Sequence, residues 1–154
     1  MASNYTDKSI DLVAFHGIKP VGYSVLQQNL FIGTSGEVCT GIQKIVQQWL
    51  CIFLTPIGSQ TFNPLRGTRF MLDIFDAGSE SSIFSTFYFA NSDAIDQMKA
   101  EELVEMPDDE RIDDVTLTRL SLYLGTLSLY IHITSKAGES AEIILPIDTN
   151  PIVI

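Results

Sequence analysis

The segment TLSLYIHIT, residues 126–134, alternates strictly between apolar and polar side chains. Successive side chains of a strand point to opposite faces, so this period of two predicts a β-strand with one buried face. The apolar face carries Leu127, Leu129, Ile131 and Ile133. The other face carries Thr126, Ser128, Tyr130, His132 and Thr134.

Further strands are predicted on both sides of this segment. VTLTRLSLY, residues 115–123, also alternates, with a phase slip between Leu117 and Leu120 that indicates a β-bulge. Gly125 marks the first corner, and SKAGES is a second turn before the apolar strand AEIILPI. We therefore predict a three-stranded antiparallel meander over residues 112–147.

Helical periodicity precedes the meander. The segment TSGEVCTGIQKIVQQWLCIFLT, residues 34–55, has apolar residues at helical spacing. Thr34 and Glu37 have the spacing of a capping box, and Pro56 ends the predicted helix. The apolar positions are Val38, Ile42, Ile45, Val46, Trp49 and Phe53.

Two more helices are predicted before the strands. One follows Gly67 and ends at Gly78, with an apolar face made of Phe70, Met71, Ile74 and Phe75. Another is predicted over residues 91–106, with Asn91 or Ser92 as its cap and Pro107 as its end. SESSIFSTFYFA, between them, is compatible with helix or strand. Helices that come first and strands that come last indicate a single α+β domain over residues 1–154. We expect residues 37–106 to be mainly helical, residues 1–8 to form a mobile arm and residues 148–154 to form a C-terminal tail.

Composition excludes several classes of function. The net charge is −10 and only nine Lys and Arg residues occur, which argues against nucleic-acid binding. We find neither a signal peptide nor a run long enough to span a membrane, so we expect synthesis in a cytoplasm. A hydrophobic fraction of 45% is high for a free monomer and indicates partners. Cys39 and Cys51 are both predicted in the first helix, too far apart to bridge, as small buried side chains.

A catalytic signature is not evident. His16 and His132 are isolated, and we interpret both as structural. Glu101, Glu102 and Glu105 are the candidates for the carboxylate pair that glycoside hydrolysis requires. Their position beside PDDERIDD favours a solvated acidic helix end. We expect no catalytic residue, cofactor or metal.

The turn after the first helix carries a more specific pattern. LTPIGSQTFNPLRGTRF resembles the central motif of the small baseplate-wedge proteins of contractile phage tails, a family long labelled lysozyme-like. That family includes the tail-sheath initiator of myophages and the small subunit of type VI secretion baseplates. The matching residues are Leu54, Thr55, Gly58, Pro64 and Gly67.

A second, shorter likeness lies before the meander. The family has Glu-Pro-Arg-Ile there, and this chain has Asp109, Arg111 and Ile112 with Glu110 in place of the proline. Ser59 and Gln60 stand where the family usually has Glu-Arg. The likeness covers residues 37–147.

The resemblance implies a structural subunit located in the tail baseplate of a virion, with no catalytic step. Implied partners are two larger baseplate wedge subunits through the helical part and the first ring of tail sheath protein through the strands. Central hub or tube proteins are further candidates; nucleic acid and membrane are not expected. A cell-wall glycosidase and a soluble regulatory adaptor of the same fold remain alternatives. The predicted sheath contact is the apolar edge made by Ile143, Ile144, Leu145, Ile147, Ile152, Val153 and Ile154.

Overall fold

The computed structural model describes residues 41–148 and five two-residue strands before them. The short strands are β1 Asp11–Leu12, β2 Phe15–His16, β3 Lys19–Pro20, β4 Phe31–Ile32 and β5 Val38–Cys39. The arm at 1–8, the capping-box residues Thr34 and Glu37, and residues 149–154 lie outside the described residues. Contacts divide the chain into two compact units. Unit 1 comprises Met1–Gln47 and Glu105–Ile154, and unit 2 comprises Gln48–Val104.

The order of the longer elements confirms the predicted α+β class. The helices are α1 Gly41–Leu54, α2 Phe70–Asp73 and α3 Glu80–Glu101. One 3-10 turn, Ile74–Asp76, continues α2, and another, Asp108–Glu110, precedes the strands. The strands β6 Ile112–Tyr123, β7 Thr126–Ser135 and β8 Ser140–Asp148 form the predicted meander.

Unit 1 contains an antiparallel sheet in the order β3-β8-β7-β6. A register shift between Leu117 and Arg119 confirms the predicted bulge. The apolar side chains of β7 are buried and the alternate ones are half-buried, as the period of two predicts. The buried face consists of Ile112, Val115, Leu117, Leu127, Leu129, Ile131, Ile133, Ala141, Ile143, Leu145 and Ile147.

Unit 2 is built around four buried aromatic side chains. Trp49 and Phe53 stack with ring centroids 4.4 Å apart, and Phe53 lies 4.3 Å from Phe70 and 5.3 Å from Phe87. The indole Nε1–H of Trp49 donates to the side-chain oxygen of Asn91 at 2.9 Å. This bond satisfies a donor that burial would otherwise leave without water, which is why a polar residue is tolerated inside the aromatic core.

The start of the first helix differs from the prediction. The helix begins at Gly41, and Val38–Cys39 instead pair with Asp11–Leu12 as antiparallel strands. Cys39 and Cys51 therefore do not share a helix, and Cys51 is half-buried. Strand pairing with a distant segment outweighs the local helical period, which explains the difference. His16, interpreted from sequence as a structural residue, lies in β2.

The third helix is longer at its N-terminus than predicted. The ambiguous segment is helical, so α3 begins at Glu80 with Ser79 as N-cap, whose hydroxyl accepts from the Ser82 N–H at 3.2 Å. The prediction of Asn91 or Ser92 as cap is wrong, because both lie inside α3. The helix ends at Glu101, six residues before Pro107. Phe75, predicted on an apolar face, is 46% exposed, whereas Phe70 and Ile74 are buried.

Candidate interaction site

The turn between α1 and α2, residues 55–69, is closed at its base by hydrogen bonds. Thr68 donates its N–H to the Thr55 carbonyl at 2.9 Å, and Ile57 donates to the Thr68 carbonyl at 3.0 Å. The Thr55 hydroxyl donates to the carbonyl of Cys51, one turn back in α1. These bonds tie the end of α1 to the start of α2 and fix the base of the turn.

Gly67 is required at this base. Its φ is +111°, and a Cβ built there would lie 2.3 Å from the Thr55 carbonyl oxygen, closer than any side chain allows. The amide of Gln97, in α3, holds Gly67 from the other side. Its Oε1 accepts from the Gly67 N–H at 3.0 Å, and its Nε2 donates to the Gly67 carbonyl at 2.7 Å. The glycine is therefore fixed between two segments that leave no room for a side chain.

The middle of the turn is also held by its backbone. Gly58, at φ +84°, donates its N–H to the Pro64 carbonyl at 2.8 Å. The structure therefore brings four of the five matching residues into contact, as the pairs Thr55–Gly67 and Gly58–Pro64. Leu54 is half-buried at the end of α1.

Polar side chains add further links from the turn to the helices. The buried Thr68 hydroxyl donates to the Phe53 carbonyl at 2.6 Å and accepts from the Phe70 N–H at 3.3 Å. Arg66 forms an ion pair with Glu101 at the end of α3. Sequence reasoning missed Thr68, Arg66 and Gln97, since no local spacing relates residues 66–68 to residues 97–101.

The turn presents apolar side chains to solvent. Phe62 is fully exposed and Leu65 is 78% exposed, although the backbone on either side of them is hydrogen-bonded. Of the twelve exposed large hydrophobic residues in the described part of the chain, nine belong to unit 2. Apolar side chains that a fixed turn holds in solvent, as Phe62 and Leu65 are held here, are a feature of protein-binding sites. The nine are Ile57, Phe62, Leu65, Leu72, Phe75, Tyr88, Phe89, Leu103 and Val104.

The second motif lies in unit 1, at the entrance to the meander. The Arg111 Nε–H donates to the Met106 carbonyl at 2.9 Å, and its guanidinium lies 4.0 Å from a carboxylate oxygen of Asp108, which is mostly exposed. Ile112 is buried as the first residue of β6. Asp109 is half-buried in the 3-10 turn. Arg111 thus helps to close the loop before the sheet by its bond to a backbone carbonyl.

The predicted sheath contact lies on β8 and on residues outside the described part. Ile143, Leu145 and Ile147 are buried on the core face of the sheet, and Ile144 is half-buried on the other face. Among the described strands, β8 lies between β7 and β3, and β3 pairs with it at Ala141 and Glu142. Ile152, Val153 and Ile154 lie outside the described residues. Because Ile143, Leu145 and Ile147 are buried, a sheath subunit that binds this edge would pair with the main chain of β8 rather than contact these three side chains.

The residues considered for catalysis lie at or beyond the end of α3 and on β7. Glu101 is paired with Arg66, Glu102 is half-buried just beyond α3, and Glu105 is exposed. His132 Nδ1 lies 3.6 Å from a Glu142 carboxylate oxygen on the half-buried face of the sheet. Within residues 41–148, no three His, Cys, Asp or Glu side chains are grouped so that they would hold a metal ion.

None of the described helices combines the length and the apolar composition that a membrane span requires. No protein-family model matches this chain, and no curated protein matches it.

Proposed function

We propose that the chain is a structural subunit of a contractile phage tail baseplate, the small wedge protein that acts as sheath initiator. The observation that carries this proposal is the turn at residues 55–69, whose backbone is fixed by hydrogen bonds. Its motif residues, which are those of the resemblance, form one hydrogen-bonded unit that holds Phe62 and Leu65 in solvent. A backbone fixed before binding loses little entropy when a partner covers it.

Unit 2 supplies the surface for the larger wedge subunits. Exposed aromatic and aliphatic side chains on a rigid turn are the usual anchors of a protein interface. In this proposal the meander of unit 1 supplies the surface for the first ring of sheath, and the protein is part of the virion tail. Hub or tube proteins are further candidate partners, and no catalytic step is proposed.

The test is co-expression of the chain with the larger wedge subunits, followed by size-exclusion chromatography. The double variant Phe62→Ser, Leu65→Ser removes two exposed apolar groups, each expected to contribute about 1–2 kcal/mol to binding. Its affinity for the wedge should therefore fall at least about 10-fold, with the melting temperature unchanged. Gln60→Ala, in the same exposed turn, is the matched control and should bind as wild type.

A chain that stays monomeric in the presence of both wedge and sheath subunits would contradict the proposal. The glycosidase alternative is tested separately by the clearing of a peptidoglycan suspension, where we expect none. Clearing that Glu101→Gln, Glu102→Gln or Glu105→Gln abolishes would replace the structural function with an enzymatic one.

A further inference from the structure

Among the described strands, β6 is an outer strand of its sheet, and the second half of its outer edge is regular and mostly apolar. A register shift between Leu117 and Arg119 interrupts the pairing with β7. Residues 119–123, which we call the β6 edge, then pair with β7 without interruption. Proteins usually protect an edge strand with charges, prolines or bulges. Asp113 and Asp114 precede the bulge, but the β6 edge, RLSLY, has only the charge of Arg119.

Two residues of the β6 edge direct their backbone hydrogen-bonding groups away from β7. A two-residue turn with positive φ at both positions follows Tyr123, so Tyr123 and Thr126 form the hydrogen-bonded pair that closes the hairpin. Hydrogen-bonded and non-hydrogen-bonded pairs alternate along an antiparallel ladder. The backbone N–H and C=O groups of Leu120 and Leu122 therefore point outward, on the side where no described strand lies.

The side chains of the β6 edge divide between the two faces of the sheet. Leu122 pairs with Leu127 on the core face, yet Leu127 is 2% exposed and Leu122 is 65% exposed. Leu120, on the same face, is half-buried. The apolar core face therefore extends beyond β7 to leucines that the chain itself covers only in part. On the opposite face, the guanidinium carbon of Arg119 lies 4.0 Å from the centre of the Tyr130 ring.

The sequence of the β6 edge complements a second copy of itself. In an antiparallel pair centred on Ser121, Leu120 of each copy lies opposite Leu122 of the other. These two leucines are the residues with outward backbone groups, so each such pair would exchange both of its main-chain hydrogen bonds. Arg119 of each copy would lie opposite Tyr123 of the other, which is 73% exposed. Cross-strand neighbours are closest in such a non-hydrogen-bonded pair, where a guanidinium and an aromatic ring attract each other.

The carboxylates nearest to the β6 edge in the sheet do not oppose this pairing. Asp113 and Asp114 lie five or more positions before Arg119, roughly 16 Å along the strand, and so beyond the paired segment. Asp148 lies on β8, with β7 between it and the β6 edge. The pairing therefore places no two carboxylates of these residues opposite each other.

The two-fold pairing also sets the expected strength of the contact. A strand of another protein could bond the same main-chain groups, but a second copy places a complementary side chain opposite every residue of the β6 edge. Five paired residues on each side bury far less than the about 800 Å² per partner of a stable dimer. We therefore expect a weak, reversible dimer.

We propose that two copies of this chain associate through the β6 edge, as antiparallel strands with a two-fold axis at Ser121. The inference goes beyond the proposed function and does not depend on it, because it concerns this chain alone. Its basis is the agreement between the outward backbone groups of Leu120 and Leu122 and the self-complementary order of the side chains.

The experiment measures the monomer–dimer equilibrium of the full chain by analytical ultracentrifugation over a wide range of concentrations. Ser121 is exposed, so Ser121→Lys should keep the wild-type melting temperature. It places two ammonium groups opposite each other at the axis and should weaken dimerisation at least about 5-fold. Gln60→Lys, at an exposed site of unit 2, adds the same charge and is the matched control. It should dimerise as wild type.

A mixture of two variants tests the position of the axis. Ser121→Glu alone should weaken dimerisation as Ser121→Lys does, because two carboxylates then face each other. An equimolar mixture of Ser121→Lys and Ser121→Glu should instead form a heterodimer at least as tight as the wild-type dimer, since an ammonium then faces a carboxylate.

The other outcomes overturn the inference in distinguishable ways. A wild-type chain that stays monomeric at every concentration contradicts the dimer. Dimerisation that is equal for wild type and Ser121→Lys places the contact on another surface. A mixture that associates no better than either variant alone contradicts the axis at Ser121. A monomeric wild-type chain that binds a wedge or sheath subunit, with binding lost in Ser121→Lys, would assign the β6 edge to that subunit.

Discussion

The close approach of Gly67 to Thr55 leads to a specific prediction for stability. In Gly67→Ala, the new Cβ would lie 2.3 Å from the Thr55 carbonyl oxygen. The Cβ is attached directly to the backbone of residue 67, and the oxygen belongs to the backbone of Thr55. The backbone at one of these two residues must therefore move. That movement also displaces the Gly67 N–H and carbonyl from the Gln97 amide, which bonds both of them.

The size of the effect follows from a comparison with Gly58→Ala. Both glycines have positive φ, so both variants carry a left-handed strain of about 1–2 kcal/mol. A Cβ at Gly58 meets nothing within 4 Å. Only Gly67→Ala displaces the backbone, and only this variant loses the two hydrogen bonds to the Gln97 amide. Each of these bonds contributes about 0.5–1.5 kcal/mol to stability. We therefore expect Gly67→Ala to be less stable than Gly58→Ala by at least about 2 kcal/mol.

Urea denaturation measures this difference directly. Trp49 is the single tryptophan and is buried in unit 2, so its fluorescence reports the unit that contains both glycines. Gln97→Ala separates the two contributions, because it removes the hydrogen bonds without the steric conflict and should cost about 1–3 kcal/mol. Equal midpoints for the two glycine variants would show that the contact between the new Cβ and the Thr55 carbonyl has no energetic consequence, contrary to this prediction.

Three other predictions concern separate parts of the chain. Asn91→Ala leaves the buried Trp49 indole N–H without its acceptor and should reduce the free energy of unfolding by about 1–3 kcal/mol, measured by the same fluorescence. Arg111→Ala should cost about 1–2 kcal/mol in thermal denaturation, because it removes the hydrogen bond to the Met106 carbonyl and a contact with the mostly exposed Asp108. Deleting residues 149–154 should leave a folded chain that joins the wedge but does not nucleate extended sheath, as seen by electron microscopy of tails.

Each of these predictions has a control or a contradicting result. Ser92→Ala, at the next position of α3 but exposed, should leave the fluorescence midpoint unchanged. A loss of several kcal/mol in Arg111→Ala would indicate a buried ion pair rather than a loop closure. Tails of normal length from the deletion would remove residues 149–154 from sheath nucleation.

The meander and much of the turn can be predicted from the order of the residues alone. A period of two depends only on which face each side chain takes, so the buried face of β7 and the bulge in β6 followed from residue order. Gly58 and Gly67 stand out in the sequence as residues of the turn motif, and the effect of glycine on the backbone is local.

Other features depend on partners that are distant in sequence, and these are visible only in the folded chain. Val38–Cys39 form a strand because they pair with Asp11–Leu12. Asn91 is a buried acceptor because its Oδ1 lies 2.9 Å from the Nε1 of Trp49, which is 42 residues away in sequence. Gln97 bonds a glycine 30 residues earlier. The exposure of residues 122–124 likewise depends on which elements cover the sheet. Periodicity predicts which side chains of an element are buried. It does not predict which groups those side chains contact, because those contacts form only when the elements pack together.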